Sequence, residues 1–382
     1  MRPTLLRGAT LVLADRVAPG TLAFAGGRIT AVSPGDRPAP HAPDADTLDL
    51  DGDFLLPGLV DLHTDNLERQ VEPRPGARWP SRAAMLAHDA QCAAAGVTTV
   101  LDALCLGEPG RDGARTRTFL DGLADGDALH DTGLLRAEHF LHLRCELPAD
   151  GMPALLAPLA RHPRLRMVSL MDHTPGHGQF TDLDRYRAMQ RRDGLDDAAT
   201  DRRISALLEQ RDRLRAPNRR AVLDCLRDTP AALASHDDAT EAEVVANHAD
   251  GVTISEFPVA EPAARAAHAL GMAVVAGAPN VVRGGSHSGN VAAAALIRAG
   301  LVDALASDYV PASLLDAAFR TAAAGLPLHD AVALVTRRPA ALAGLDDRGR
   351  LAPGLRADLL RVRLHEGLPV VRAVWREGER VA

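Results

Sequence analysis

The chain has 382 residues, of which 46% are hydrophobic, and a formal net charge of −7 at pH 7. No apolar stretch approaches the roughly 18 residues needed to span a bilayer, and nothing at the N-terminus resembles a signal peptide. The negative charge gives no support for bulk nucleic-acid binding, although an acidic protein can still focus local positive charge on an anionic substrate. We therefore expect a cytoplasmic enzyme that binds neither a membrane nor nucleic acid.

Two features of the composition restrict the chemistry. All 43 basic residues are arginine, which excludes a Walker A loop, a Schiff-base lysine and a carbamylated lysine that bridges two metals. Any bridging ligand must therefore be a carboxylate. The four cysteines have no C-x-x-C spacing, which argues against cysteine-bound zinc and against a disulfide framework.

Both ends of the chain are predicted to form β structure. Residues 1–53 and 346–382 carry short alternating strands with turn signals, such as Asp51-Gly52 and Glu377-Gly378. Neither segment alone is long enough to build a sizeable core. We expect the two to pair into one small β-sandwich, with residues 54–345 inserted between them as a catalytic barrel.

The inserted region begins with an apolar tract that runs into polar residues, Leu55-Leu56-Pro57-Gly58-Leu59-Val60-Asp61-Leu62-His63-Thr64-Asp65-Asn66. Alternation along an extended strand puts His63 and Asp65 on the same face, so both side chains can reach one cation from the strand's carboxyl end. This His-x-Asp pattern predicts the start of a metallohydrolase site.

Seven further tracts repeat the arrangement, each an apolar run that a parallel sheet could bury, followed by groups able to ligate, donate or titrate. They are residues 97–102, 138–146, 165–173, 232–238, 252–256, 273–277 and 304–309. Ala-rich helical stretches alternate with them, including residues 81–95 and 289–299. This order predicts an α/β fold, a (β/α)₈ TIM-type barrel with its chemistry at the carboxyl ends of the strands. The span from His63 to Asp308 is close to the roughly 250 residues typical of that barrel.

Six residues at these strand ends make up the candidate metal site: His63, Asp65, Glu146, His173, His236 and Asp308. Three carboxylates and three imidazoles leave two divalent ions with one formal positive charge, and metal coordination can bring the pKa of water to about 7. Glu146 is the candidate bridge, because its two oxygens can contact two ions. Asp308 could also accept the proton of the attacking water.

The metal itself is left open by this ligand set. Carboxylates suit Mg²⁺ or Mn²⁺, whereas three imidazoles favour zinc or iron. We expect one or two divalent ions and favour zinc.

These tracts resemble the PhnM family of phosphonate metabolism, a branch of the amidohydrolase superfamily, and the resemblance runs nearly end to end. Its most specific strings are Leu62-His63-Thr64-Asp65-Asn66-Leu67-Glu68, Pro73-Arg74-Pro75-Gly76, His142-Leu143-Arg144-Cys145-Glu146-Leu147-Pro148, Ser169-Leu170-Met171-Asp172-His173, Ala234-Ser235-His236-Asp237-Asp238-Ala239-Thr240, Gly277-Ala278-Pro279-Asn280 and Ser307-Asp308-Tyr309. Most superfamily members carry His-x-His on the first strand, and His-x-Asp matches the phosphonate branch.

The resemblance implies a reaction: hydrolysis of the bond between the α- and β-phosphorus atoms of α-D-ribose 1-methylphosphonate 5-triphosphate, with pyrophosphate leaving. Such a substrate brings roughly five negative charges, which call for donors aimed at the attacked phosphoryl group and at the leaving group. Arginine supplies bidentate, permanently charged forks, and Gly-rich turns supply backbone N–H groups. The candidate substrate-binding residues are Arg74, Arg144, Arg283, Gly284, Gly285, Ser286 and Tyr309, and His287 is the candidate that protonates or orients the leaving group.

Several of these residues have a second interpretation. Arg74 and Arg283 could form ordinary surface ion pairs, and Glu146 could pair with Arg144. Glu256 is either a buried, paired group or a residue that orients a ligand. Other polar strand-end residues are expected to be structural or to lie in turns, namely His139, His142, Asp172, Asp237 and Asp238.

Residues 181–220 are about half charged and are predicted to be helical. They form either a solvated surface, or a lid or a dimer contact at the mouth of the site. A homo-oligomer and the range of triphosphates accepted are also left open.

Two other functions are compatible with the same residues. A cyclic amidase or a deaminase would share the barrel and the metals but needs a pocket for a neutral ring, which the arginines and the Gly-rich run argue against. A noncatalytic scaffold in a phosphonate-degrading assembly would need no intact ligand set.

Overall fold

The computed structural model describes residues 3–35, 44–108, 113–286 and 288–382. Their strands form two sheets of eight strands each. In chain order the strands are β1 (Thr4–Val12), β2 (Val17–Ala25), β3 (Arg28–Pro34), β4 (Asp46–Asp49), β5 (Phe54–Pro57), β6 (Leu59–Thr64), β7 (Val97–Leu106), β8 (Glu138–Glu146), β9 (Leu165–Met171), β10 (Ala232–His236), β11 (Ile254–Glu256), β12 (Ala273–Gly277), β13 (Ala304–Ala306), β14 (Leu359–His365), β15 (Leu368–Arg376) and β16 (Glu379–Arg380).

The strands β6 to β13 form the barrel. Each pairs in parallel with the next one along the chain. The barrel closes where Thr64 pairs with Asp308, since the Asp308 N–H donates to the His63 carbonyl at 2.9 Å and the Asp65 N–H donates to the Asp308 carbonyl at 2.6 Å. Every residue of β6 and β7 is buried, as expected for strands covered on both faces. The predicted (β/α)₈ barrel is confirmed.

Helices follow the barrel strands and cover the outer face of the sheet. In chain order they are α1 (Asn66–Val71), α2 (Ser81–Ala94), α3 (Ala114–Leu129), α4 (Met152–Leu156), α5 (Leu183–Arg192), α6 (Asp197–Leu226), α7 (Glu241–Ala249), α8 (Glu261–Ala269), α9 (Ala278–Arg283), α10 (Ala293–Arg298), α11 (Ser313–Ala323), α12 (Leu328–Ala333) and α13 (Arg337–Leu342). Buried side chains such as Met85, Phe119 and Leu296 fill the space between the helices and the barrel. None of these described helices combines the length and the apolarity needed to cross a bilayer.

The second sheet joins the two ends of the chain. Its order is β16-β15-β14-β5-β1-β2-β3, with β4 paired to β1. It has its own core, which includes Leu6, Leu22, Phe24 and Trp375. The β structure predicted to form jointly from both termini is confirmed.

The division of the chain at residues 53 and 346 stays a prediction. β5 pairs with β14 and β1 of the terminal sheet and is separated from the first barrel strand only by Gly58. It is therefore the strand that holds the start of the barrel against the terminal sheet.

Candidate active site

A cavity of about 400 Å³ opens at the carboxyl ends of the barrel strands. It brings together all six residues predicted to bind metal, which are His63, Asp65, Glu146, His173, His236 and Asp308. Helices α5 and α6 contribute Tyr186, Met189, Arg203 and Leu207 to its wall. The charged helical stretch at residues 181–220 therefore lines the site instead of lying wholly in solvent.

One group of possible ligands consists of His63, Asp65 and Asp308, whose donor atoms all lie within 4.8 Å of one another. Nε2 of His63 is 3.5 Å from Oδ1 of Asp65. The hydrogen bonds that close the barrel hold these residues together, because they tie the backbone of Asp308 to that of His63 and Asp65. The first and last barrel strands thus build one half of the site.

A second group consists of His173, His236 and Asp237, again with donor atoms within 4.8 Å of one another. Oδ2 of Asp237 lies 3.8 Å from Nε2 of His173 and 3.7 Å from Nε2 of His236. Sequence reasoning assigned Asp237 to a turn or a supporting role, although its position directly after His236 was a signal that it could also face the cavity.

Strained backbone marks the same strand ends. Asp237, Phe257 and Asp308 have φ values of 58°, 53° and 56°, in the left-handed region that non-glycine residues seldom adopt. Asp237 and Phe257 directly follow β10 and β11, and Asp308 lies two residues after β13. Residues held in such conformations cluster at functional sites, where the surrounding structure compensates for their cost.

Two buried glutamates hold the three histidines. Glu256 accepts from Nδ1 of His63 at 2.8 Å through one oxygen and from Nδ1 of His236 at 2.6 Å through the other. Glu146 accepts from Nδ1 of His173 at 2.6 Å and from the His173 backbone N–H at 2.9 Å. Both oxygens of Glu146 are therefore engaged, and its predicted role as a bridge between two ions would require it to exchange these bonds. That role stays a prediction.

Residues beneath the cavity complete this network. The Ser169 hydroxyl donates to Oε2 of Glu256 at 2.9 Å and lies 2.5 Å from Nε2 of His142. Nδ1 of His142 is 3.0 Å from the Leu62 carbonyl. Burial lowers the pKa of His142 to about 3, so this ring is neutral, in keeping with the structural role expected for it.

The charges around the first group are strongly coupled. Burial and the Asp65 carboxylate raise the pKa of Asp308 to about 6. Burial would raise the pKa of Asp65 too, but the Arg144 guanidinium holds it well below its ordinary value. Burial disfavours a charged His63, yet the Glu256 carboxylate outweighs burial and, with Asp65, raises the pKa of His63 to about 10.

These groups fit a divalent cation. Nε2 of His63 is buried and has no hydrogen-bond partner among the described residues, while its Nδ1 is held by Glu256. A buried polar atom without a partner requires an explanation. An imidazole nitrogen that faces the carboxylates of Asp65 and Asp308 matches the nitrogen and oxygen donors that zinc and similar ions accept.

Among the described residues, four arginines line the cavity: Arg115, Arg144, Arg203 and Arg283. Of the arginines predicted to bind substrate, Arg144 donates to Asp65 at 2.5 Å and Arg283 lies 3.5 Å from the Tyr309 hydroxyl. Arg74 is not among the residues that line the cavity.

The Gly-rich run is only partly at the cavity. Gly285, Ser286 and Tyr309 line it, whereas Gly284 ends α9 with a φ of 80° and is not part of the wall. His287, the predicted leaving-group acid, lies outside the described residues. The substrate-binding roles of these residues stay predictions.

Comparisons with known proteins agree with this architecture. The amidohydrolase family model matches residues 218–382. Solved structures of dihydropyrimidinase from Brevibacillus agri (TM-score 0.65, 13% identity, 99% of this chain and 94% of that chain) and of N-acetylglucosamine-6-phosphate deacetylase from Pasteurella multocida (TM-score 0.60, 12% identity, 99% of each chain) share the fold.

One relative is similar along its whole length. The α-D-ribose 1-methylphosphonate 5-triphosphate diphosphatase of Escherichia coli is 44% identical over 384 aligned residues, which cover 99% of this chain and 100% of that protein. The dihydroorotase of Methanopyrus kandleri is 40% identical over 96 residues, which cover only 20% of this chain. The chain therefore belongs to the amidohydrolase family, in the branch that contains the Escherichia coli diphosphatase.

Proposed function

We propose that this protein hydrolyses α-D-ribose 1-methylphosphonate 5-triphosphate to the 5-phosphate and pyrophosphate, a reaction of phosphonate catabolism. The observation that carries the proposal is the 44% identity, over the full length of both chains, with the enzyme of that name. The cavity supports it, because carboxylates and imidazoles that suit divalent ions share its wall with four arginines that suit phosphate oxygens.

One or two divalent ions would be held by the two groups at the cavity floor. His63, Asp65 and Asp308 form the first position, and His173 and His236 provide the imidazoles of the second. When bound, such an ion would polarise a phosphoryl oxygen and lower the pKa of a coordinated water. Zinc is our preferred metal because three imidazoles contribute.

Asp308 is the proposed proton acceptor. Its carboxylate lies beside His63 and Asp65, and burial together with Asp65 raises its pKa to about 6. A general base works best when its pKa lies near the working pH. At neutral pH the carboxylate of Asp308 is thus mostly ionised and able to take a proton from the water that adds to the α-phosphorus.

The arginines bind the anionic substrate. Arg115 and Arg144 lie beside Asp65, where their charges act on its carboxylate, and Arg203 and Arg283 enter from α6 and α9. The guanidinium groups thus fall into one pair beside Asp65 and a second pair on the helices that line the cavity. We assign the former to the attacked phosphoryl group and the latter to the departing pyrophosphate, which gains charge as the bond breaks.

Other features complete the proposal. Gly285, Ser286 and Tyr309 contact the substrate, and His287 protonates the leaving group. Cytoplasmic localisation and assembly into a homo-oligomer are further proposals. So is the division into a terminal β domain and a barrel at residues 54–345.

The decisive experiment is ³¹P NMR of the reaction of metal-replete protein with the ribosyl methylphosphonate triphosphate. We expect one equivalent of pyrophosphate and one of the 5-phosphate. Release of inorganic monophosphate would place the cleavage at a different anhydride bond and reject the proposed reaction.

A cyclic amidase has the same barrel and is the main alternative. Cyclic amidase activity can be tested by assaying the same protein preparation with dihydropyrimidines and dihydroorotate as substrates. We expect no ring opening above the background rate, because a neutral ring carries no phosphate oxygens that guanidinium groups such as those of Arg203 and Arg283 could bind.

A further inference from the structure

A single buried carboxylate forms hydrogen bonds with two imidazole rings in this site. Glu256, on β11, is fully buried, and its two oxygens lie 2.8 Å from Nδ1 of His63 and 2.6 Å from Nδ1 of His236. The two rings are nearly parallel, with an interplanar angle of 20° and centroids 5.7 Å apart. Sequence reasoning left Glu256 undecided between an ion pair and an orienting role.

The chemistry of these contacts determines where the protons lie. An ionised carboxylate has only acceptor positions, so each Nδ1 that meets it must carry a hydrogen. A histidine that binds a metal must be neutral, so a ring whose one hydrogen lies on Nδ1 would offer the lone pair of Nε2 to a bound cation. Both oxygens of Glu256 act as acceptors here, because Oε2 also accepts from the Ser169 hydroxyl at 2.9 Å.

We propose that Glu256 is a positioning residue that sets the tautomer of His63 and His236 at once, so that both rings present Nε2 to the cations. The inference rests on the proposed metal-dependent function, since it treats both rings as ligands. It also explains why a glutamate stands at the end of β11 without lining the cavity: its oxygens face the back of the ligands and not the substrate.

Glu146 provides a natural comparison. It uses both oxygens on one residue, accepting from the ring and the backbone N–H of His173. A change at Glu146 should therefore affect one ligand, whereas a change at Glu256 should affect two.

The substitution Glu256→Gln tests the proposal without removing the side chain. Glutamine has one acceptor oxygen, and its NH₂ group would face the N–H of one of the two rings. Two donors cannot share that contact, so one ring must transfer its proton to Nε2 or turn away. We expect zinc affinity, measured by competition with a chelating dye in the absence of substrate, to fall about 10- to 100-fold, as for other residues that support metal ligands.

Imidazole ¹⁵N NMR identifies the affected rings. In wild-type protein loaded with ¹¹³Cd²⁺, we expect ¹⁵N–¹¹³Cd coupling at Nε2 and a proton at Nδ1 for both His63 and His236. In Glu256→Gln one of these two rings should lose that pattern while His173 keeps it, and in Glu146→Gln the change should be confined to His173.

Two results would overturn the proposal. One is coordination of cadmium through Nδ1 of His63 or His236 in the wild-type protein, a measurement that does not depend on any variant folding. The other is a folded Glu256→Gln protein, with wild-type circular dichroism, whose zinc affinity stays within twofold of wild type. Neither measurement uses the phosphonate substrate, so failure of the proposed reaction would leave the tautomer result standing.

Discussion

Arg144 donates to Oδ1 of Asp65 at 2.5 Å, and the same oxygen lies 3.5 Å from Nε2 of His63. The guanidinium is buried, with 4% of the residue exposed. Asp65 therefore has a permanent cationic partner on one side and the candidate metal position on the other. The net charge of the Arg144–Asp65 pair is close to zero, so the carboxylate of Asp65 does not add a full negative charge to the site.

Replacing Arg144 with Met should make the protein depend more strongly on metal. Breaking a buried ion pair typically costs about 3–5 kcal/mol, because the remaining charge is left without compensation. We expect the variant to have a lower Tm than wild type in EDTA. Added zinc should raise its Tm by more than it raises the Tm of wild type, since the ion becomes the main partner of Asp65. Thermal unfolding with EDTA and with zinc measures both effects, and an equal zinc-induced rise in the two proteins would contradict this account of the pair.

Replacing Asp308 with Asn should separate activity from stability. Loss of a general base lowers kcat by about 10²- to 10⁴-fold. The raised pKa of about 6 means that the ionised carboxylate is disfavoured in the metal-free fold, so stability is lost as pH rises from the ordinary carboxyl value through 6. Asparagine has no charge and tolerates the φ of 56° at this position.

In EDTA at pH 8 the Asp308→Asn variant should therefore be more stable than wild type, by up to about 3 kcal/mol. Unfolding by denaturant at pH 8 and at pH 4 measures this difference, which should nearly vanish at the lower pH. A variant that is inactive and also less stable at pH 8 would indicate a structural role for Asp308 instead.

Helix α6 should contribute to substrate affinity through Arg203. This residue lines the cavity, whereas its neighbour Arg202 is exposed and does not. Lysine keeps the charge but cannot reproduce a bidentate fork. We expect Arg203→Lys to raise KM for the triphosphate about 10-fold, as for loss of one hydrogen bond to a charged group, and Arg202→Lys to leave it unchanged. Steady-state kinetics on both variants decides the matter, and equal KM values would remove Arg203 from the binding site.

Much of the barrel could be predicted because its signals are local. Each apolar run that is buried on both faces ends in polar residues, and the carboxyl ends of parallel strands meet at one rim. That logic placed His63, His173, His236 and Asp308 at one cavity before their distances were known. The pairing of the two terminal segments could be predicted from their length, since neither segment is long enough to form a hydrophobic core alone.

The features that the sequence left undecided or did not reveal depend on contacts between distant parts of the chain. Glu256 reaches His63 across 193 positions in the sequence, and this contact exists only because the barrel closes. Arg203 lies on a 30-residue helix whose charge pattern is equally typical of a solvated surface, and only its packing over the cavity distinguishes the two. Glu146 was placed correctly at the cavity, but its hydrogen bonds to His173 require knowledge of where the backbone N–H points.

A second polar cluster lies outside the cavity, between α2 and the barrel. Both ring nitrogens of the buried His139 face carboxylates: Nδ1 is 3.0 Å from Asp102 and Nε2 is 3.3 Å from Asp89. His88 approaches Asp102 at 2.8 Å and contacts Asn66, the residue after Asp65, at 3.0 Å. Burial opposes a charge on His139, but Asp102 and Asp89 outweigh it and raise the pKa of His139 to about 9.

This cluster should make stability fall at alkaline pH. A histidine whose pKa rises from 6.5 to about 9 on folding contributes stability that is fully present below pH 6.5 and is lost as pH rises through 9. The contribution is about 3 kcal/mol at its maximum. In EDTA, the Tm difference between wild type and His139→Gln should therefore be large at pH 6 and shrink towards pH 10. The control is His268→Gln, a change at an exposed ring on α8, whose Tm difference from wild type should not depend on pH in this way. A difference that stays constant with pH would mean that His139 is neutral in the folded protein and that its carboxylate neighbours are held by other donors.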